Sequence, residues 1–298
     1  MCRNIIRLTN IFVIISLLSS CSRPVAQFSH SESPKAAKSM KFDNTSEKAD
    51  RYEWDFGDGN ISSEKSPKHT YMSSGNYLVK MRAIDDKENI EEKKMRIIVN
   101  APDLCLIEIE TPYGSMIAQL YDSTPKHQDN FIKLAEQHFY DSLLFHRVIQ
   151  GFMAQGGDPQ SRNARKEMPL GMGGPGYTIP KEFVDSLVHI RGALAGARLP
   201  DNVNPKKSSS GSQFYIVQGR PVTSKDLDKQ EAKKGVRYSK SQRDAYLKYG
   251  GTPLLDRDYT IFGRIIEGFD VLEKLIAVKT NEKDRPEENT WMIVRTIQ

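Results

Sequence analysis

The sequence predicts a mainly β protein built from two modules. Three observations carry that prediction. The chain has 298 residues, more than one ordinary domain and about right for two. Between residues 42 and 100, short β-rich runs recur between turn signals, as in a small β-sandwich. Further on, Phe145-His146-Arg147-Val148-Ile149 reads as β-like, and in Gln213-Phe214-Tyr215-Ile216-Val217 the period of a strand puts Gln213, Tyr215 and Val217 on one face and Phe214 and Ile216 on the other.

Composition sets the bounds. Apolar residues are 38% of the chain and charged residues 27%, enough for a core but not for several membrane spans. The formal charge is +5, and two of the basic residues, Arg3 and Arg7, lie in the leader described next. So weak a balance argues against nucleic acid as a partner. The three cysteines, Cys2, Cys21 and Cys105, are too few for a disulfide scaffold. Cys105 sits in an apolar run and reads as a buried thiol.

Residues 1–20 read as an export signal. A positive start is followed by Ile-Phe-Val-Ile-Ile-Ser-Leu-Leu, too short to span a bilayer. Leu18-Ser19-Ser20-Cys21 then resembles the box of bacterial lipoproteins, which implies lipidation at Cys21. The expected location is the cell envelope, most simply the outer membrane of a Gram-negative bacterium. Acyl chains stabilise attachment by roughly 0.8 kcal/mol per buried methylene. Residues 21–41 are polar, small and Pro-containing, and are expected to form a flexible tether.

In the first module, Tyr52-Glu-Trp54-Asp-Phe56 alternates like a half-buried strand, and Asp58-Gly59 supplies a turn. Trp54-Asp55-Phe56-Gly57-Asp58-Gly59, followed by Pro67, His69, Tyr71 and Gly75-Asn-Tyr77, resembles a PKD domain. The resemblance covers residues 42–100. It implies an immunoglobulin-like sandwich serving as spacer or adhesive module. Asp55 and Asp58 lack the spacing of an EF-hand loop, so they are read as turn residues.

The second module is expected over residues 104–298. Residues 104–109 and 114–120 read as a hairpin, with Thr111-Pro112-Tyr113-Gly114 as the turn. Thr124-Pro125 opens a helix with threonine as the cap, continued by Phe131, Leu134, Ala135 and His138 at helical spacing. Alternation places Arg147 on one strand face with Phe145 and Ile149. A cation among apolar neighbours is costly unless it is paired or faces a cleft. The chemistry alone leaves two readings: an edge arginine reaching solvent, or an arginine in a cleft with Phe152, Met153 and Gln155. In the second strand, Gln213, Tyr215 and Val217 share one face and Phe214 and Ile216 the other.

These two stretches resemble the hallmark segments of the cyclophilins: Phe145-His-Arg-Val-Ile-Gln-Gly-Phe152-Met153-Ala-Gln155-Gly-Gly-Asp158, and Gly211-Ser-Gln213-Phe-Tyr215-Ile-Val217. Gly192-Ala-Leu-Ala-Gly-Ala197, Leu255-Asp256, Phe262-Gly263 and Gly268-Phe-Asp-Val-Leu continue the likeness in the family's order. The resemblance implies a closed, eight-stranded antiparallel β-barrel with two capping helices, at 124–139 and 268–277. The second would turn Phe269, Leu272 and Ile276 inward. It also implies a peptidyl-prolyl cis-trans isomerase that acts on proline-containing unfolded or exported polypeptides and assists their folding. Arg147 would be the principal catalytic residue, with Gln155 and Phe152. The substrate would meet His146, Met153, Ala197, Gln213, Tyr215, Leu254, Leu255 and Tyr259. Rotation about an amide makes and breaks no bond, so no cofactor and no metal is expected.

The chain departs from the pattern in places. Tyr215 replaces phenylalanine, and its hydroxyl needs a partner. Leu254 and Tyr259 stand where the best-known members have tryptophan and histidine, which implies weak cyclosporin binding. Arg198 replaces asparagine. Residues 220–251 are an insertion of one or two helices ending at Gly250-Gly251, read either as a solvated decoration or as a docking surface or groove wall. Gly171-Met-Gly173-Gly174-Pro175-Gly176 has the form of a nucleotide-binding fingerprint, but Pro175 obstructs the helix that fingerprint requires. A second function stays open beside catalysis: a proline-peptide holdase or adhesin with little turnover.

Overall fold

A computed structural model describes residues 23–31 and 34–298. The leader and Cys21 lie outside the described residues. No helix among the described residues is long and apolar enough to cross a membrane.

The N-terminal unit contains strands β1 (Phe28–His30), β2 (Ser39–Asn44), β3 (Arg51–Asp55), β4 (Ile61–Ser62), β5 (Lys68–Thr70), β6 (Gly75–Ile84) and β7 (Ile90–Val99). They form two sheets, ordered β1-β2-β5 and β4-β3-β6-β7. Alternation in β3 turns Tyr52 and Trp54 inward and leaves Arg51 and Glu53 in solvent. The core is aromatic: Trp54 lies 5.0 Å from Phe28 and 5.5 Å from Phe42, centroid to centroid. Asp55 bonds Lys80 at 3.0 Å, and Asp58 bonds His69 at 2.7 Å.

The expected tether is corrected here. Residues 28–30 and 39–44 are paired strands, with Phe28 opposite Asn44 and His30 opposite Phe42. Ala26, Phe28 and Met40 are all buried. Three apolar side chains in a polar stretch suffice when each one enters a core.

The C-terminal unit opens with the hairpin β8 (Leu106–Thr111) and β9 (Gly114–Leu120), then α1 (Pro125–Glu136), β10 (Leu143–Ile149), β11 (Met153–Gly156), β12 (Thr178–Ile179), β13 (Ala193–Gly196), β14 (Ser209–Ser210) and β15 (Phe214–Val217). The insertion follows as α2 (Ser224–Lys234) and α3 (Lys240–Tyr249), and then β16 (Ile261–Glu267), α4 (Phe269–Ile276) and β17 (Trp291–Ile297). Eight strands close an antiparallel barrel in the order β10-β11-β15-β13-β16-β9-β8-β17. Closure removes the free edges that would otherwise invite pairing with other chains. Ile107, Ile109, Phe145, Phe214, Ile216 and Phe262 fill the interior, joined by Phe131 and Leu134 of α1 and Leu272 and Ile276 of α4.

Three local expectations change. Thr124 does not cap α1 with its side chain; its hydroxyl donates to the Tyr121 carbonyl. The Glu182 carboxylate instead accepts from the backbone N–H groups of Lys126 and His127, at 3.1 and 3.0 Å, and from His127 Nδ1 at 2.7 Å. A carboxylate suits the positive end of a helix, and this one comes from a distant loop, which local sequence cannot reveal. The helix stops at Glu136, and His138 takes a left-handed conformation beyond it (φ 55). In α4 the buried stripe is Val271, Leu272, Leu275 and Ile276, while Phe269 is half-buried.

Both insertion helices begin with capping boxes, at Thr223 with Asp226 and at Ser239 with Gln242. Gly250 ends α3 at φ 70, and a Cβ there would lie 2.5 Å from the Arg220 carbonyl. Only glycine tolerates that turn and that approach.

Candidate active site

The site begins with a defect in strand pairing. On β10 and β11, Phe145 pairs with Gly156 and Arg147 with Gln155, so His146 is an extra residue, a β-bulge. The bulge corrects the simple alternation. Phe145 enters the barrel core, whereas Arg147 leaves it with a half-exposed side chain. Ile149 packs on a second apolar cluster formed by Met153, Tyr215, Leu255 and Ile261. The bulge thus turns the arginine from the barrel interior to its outer face, beside that cluster.

The β15 strand divides as its alternation requires: Phe214 and Ile216 go to the core, Tyr215 and Val217 to the second cluster. The result is a cleft of about 120 Å³, lined by Arg147, Phe152, Met153, Gln155, Ala197, Arg198, Tyr215, Leu255 and Tyr259. Arg147, Gln155 and Arg198 supply its charged and amide groups, and the remaining lining is aromatic and aliphatic. Tyr215 forms a floor with Tyr259 edge-on to it, ring centroids 5.7 Å apart. A larger cleft of about 460 Å³ shares Gln155, Ala197 and Arg198 and adds Gln213 and the glycine loop Gly171, Gly173 and Gly174.

Hydrogen bonds fix both clefts. Arg147 Nε donates to Asp284 Oδ2 at 3.4 Å. Gln155 Nε2 donates to Gln213 Oε1 at 3.0 Å, and Gln213 Nε2 donates to the Gly173 carbonyl at 2.7 Å. Gln155 therefore orders the neighbouring glutamine, and the partner of Arg147 is Asp284, a residue far along the chain. Asp158, fully buried, accepts from the N–H groups of Gln160, Gly171 and Gly173 and so pins the glycine loop.

Two expected members of the site stand elsewhere. His146, the bulged residue, is 5% exposed and lines a separate pocket with Lys166, Met168, Lys283 and Arg285. Leu254 is 53% exposed, while Leu255 beside it is 7% exposed and lines the slot. The 3-10 turn of residues 253–255 accounts for this, because about 120° separates successive side chains. Arg198, passed over as a site residue, does line the slot. Its guanidinium lies 4.7 Å from the Tyr259 ring centroid, and Nε donates to the Asp258 carbonyl at 2.6 Å. Its place directly after Ala197 was the available signal.

Burial lowers the pKa of His146 to about 4, against a weaker opposing pull from the Asp158 charge. The neutral ring is favoured in the folded state, so between about pH 4 and 6.5 the unfolded chain binds the extra proton. Stability is therefore complete above about 6.5 and is lost as pH falls toward 4, by about 3 kcal/mol for this group. Urea unfolding at pH 7 and 4.5 should show that loss, and His146→Leu should reduce the difference between the two pH values by a comparable amount. An unchanged difference would contradict the assignment.

Comparisons with known proteins show what the chain is similar to. The family model described as cyclophilin type peptidyl-prolyl cis-trans isomerase/CLD matches residues 106–297, and that of the PKD domain matches residues 21–99. A protein of Streptococcus pyogenes named as a bifunctional phosphatase/peptidyl-prolyl cis-trans isomerase is 37% identical over 198 residues, 64% of this chain. The chain spans only 38% of that relative's length. A Staphylococcus aureus protein named as a peptidyl-prolyl cis-trans isomerase is 37% identical over 184 residues, covering 60% of this chain and 85% of the relative. Among solved structures, a Cryptosporidium parvum cyclophilin type isomerase matches at 25% identity and a TM-score of 0.47, over 65% of this chain and 98% of its own.

Proposed function

The chain belongs to the cyclophilin-type peptidyl-prolyl cis-trans isomerases and carries a PKD domain, and from that premise we propose that Arg147 and the apolar slot beside it twist X-Pro bonds in exported polypeptides. The observation that carries this reading is the bulge that sets a guanidinium beside the aromatic and aliphatic side chains Phe152, Met153, Tyr215 and Leu255 in one cleft.

The barrier to rotation is roughly 18–20 kcal/mol and comes from amide resonance. No bond is made or broken. A catalyst lowers the barrier by binding the twisted amide better than either planar form. Phe152, Met153, Tyr215 and Leu255 hold the prolyl ring by apolar contact. Arg147 donates hydrogen bonds to the prolyl carbonyl and draws the nitrogen lone pair out of conjugation. Asp284 holds the guanidinium, so less ordering remains to be done on binding. Gln155, held by Gln213, presents its amide oxygen to the substrate backbone beside the slot, and Ala197 lets that backbone approach.

Read as a lipoprotein signal with Cys21 as the lipidated residue, the leader supports a location at the cell envelope, on the outer membrane of a Gram-negative bacterium. The PKD domain serves as a spacer or adhesive module. Clients are proline-containing chains that fold after export. Cys21→Ser in the expressed full chain should move the protein from the membrane pellet to the soluble fraction; retention in the pellet would contradict the anchor.

Activity is tested on a denatured exported protein whose slow refolding phase is limited by a prolyl bond. Catalytic amounts of the chain should accelerate that phase. If the slow phase is unchanged while client aggregation falls in proportion to added protein, the site holds proline peptides without turning them over.

A further inference from the structure

The insertion is joined to the slot by buried hydrogen bonds. Asp256, 2% exposed, follows directly on Leu255. Its Oδ2 accepts from Tyr246 Oη of α3 at 2.6 Å and from Tyr238 Oη, between α2 and α3, at 2.8 Å. Its Oδ1 accepts from the His189 backbone N–H at 2.8 Å and pairs with His189 Nδ1 at 2.7 Å. A carboxylate can only accept there, so Nδ1 carries the proton and Nε2 is left to accept. Its partner is the Tyr215 hydroxyl, 3.0 Å away. Burial raises the pKa of Tyr246, with the Asp256 charge adding to it, and burial raises that of Tyr215, so both hydroxyls remain donors.

A second tie runs from the end of α2. Lys234 Nζ donates to the Leu254 carbonyl at 2.6 Å, to the Asp256 carbonyl at 2.7 Å and to Asp258 Oδ2 at 2.7 Å. One short segment, 253–259, therefore receives three donor side chains from the insertion, and that same segment supplies Leu255 and Tyr259 to the slot. The insertion is anchored for the purpose. Leu227 and Tyr246 are fully buried in a small cluster with Val222, and the two helices are clamped by Arg243 bonded to Asp228 and Glu231.

We propose that the helical insertion positions the proline slot: Tyr238, Tyr246 and Lys234 hold the 253–259 wall, and Asp256 and His189 hold the Tyr215 ring of the floor. These are positioning residues, and the inference rests on reading that cleft as the prolyl site. A rigid wall presents Leu255 and Tyr259 without an ordering cost on binding. Loss of the ties should raise KM more than it lowers kcat, because Arg147 is held by Asp284 and takes no part in these ties.

The test is the double variant Tyr238→Phe, Tyr246→Phe, which keeps both rings and removes only two donors. Lys234→Met is the second variant, in case the double variant does not fold. For a short Ala-Pro peptide, KM should rise at least threefold while kcat stays within twofold. Amide exchange over residues 254–259 should quicken at least tenfold. Ile107→Val, a change in the barrel core away from the slot, should leave KM as in the wild type. Unchanged KM and unchanged exchange in a folded variant would overturn the inference, as would an equal rise in KM with Ile107→Val. If the wild type itself shows no turnover, the isomerase reading fails first; the exchange measurement still decides whether the insertion braces that wall.

Discussion

Arg147→Ala lowers kcat/KM for Ala-Pro peptides at least tenfold and leaves the fold intact. The magnitude follows from the bond removed. A hydrogen bond from a charged donor contributes roughly 1.5–3 kcal/mol, and each 1.36 kcal/mol is tenfold in rate, so the loss lies between about 10-fold and about 160-fold. The fold survives because the side chain is half-exposed and its partner, Asp284, is too. An exposed pair of this kind contributes little to stability. Arg147→Lys is expected to recover only part of the rate. An ammonium supplies charge without the planar fork that addresses a carbonyl from a fixed direction. A rate unchanged in Arg147→Ala would remove the arginine from the mechanism.

Asp158→Ala lowers the melting temperature by about 6–12 °C and loosens the substrate groove. The carboxylate is fully buried and accepts three backbone N–H groups, from Gln160, Gly171 and Gly173. Leaving three part-buried donors without their acceptor costs about 3 kcal/mol in all, and each kilocalorie is worth about 2–4 °C in a domain of this size. The effect extends to function because the Gly173 carbonyl accepts from Gln213, which in turn accepts from Gln155. Gly173 approaches so closely that a Cβ there would lie 2.1 Å from Asp158 Oδ1, so Gly173→Ala should reproduce part of the same loss. Differential scanning calorimetry measures the shift. A shift below about 2 °C would show that the loop is held by something else.

Much of this was legible in the sequence, for physical reasons. Alternation with period two assigns side chains to faces wherever pairing is regular, and β15 is regular, so Tyr215 and Phe214 separate as their spacing requires. β10 is not regular. The bulge at His146 cannot be inferred from the order of apolar and polar residues, and it changes which face Arg147 shares. His146 and Leu254 went astray for related reasons: a bulge and a 3-10 turn rotate neighbours by angles that a strand period does not contain.

Long-range partners were the other blind spot. Glu182 on the start of α1, Asp284 on Arg147 and His189 on Tyr215 are each brought in by the fold from outside the local pattern. The need for such partners was visible, since a half-buried arginine and a buried tyrosine hydroxyl both require one, but their identity was not. The strand at Phe28 was obscured by composition: a polar, Pro-containing stretch conceals the few side chains that enter the core.

The most direct measurement is the cis-to-trans rate of a short Ala-Pro peptide in the presence of the chain from Ser22 onward, with Arg147→Ala beside it. The account predicts acceleration proportional to enzyme concentration, reduced at least tenfold in the variant. A folded wild-type protein that binds the peptide yet leaves its rate unchanged would contradict it and would identify the slot as a proline-binding site without turnover.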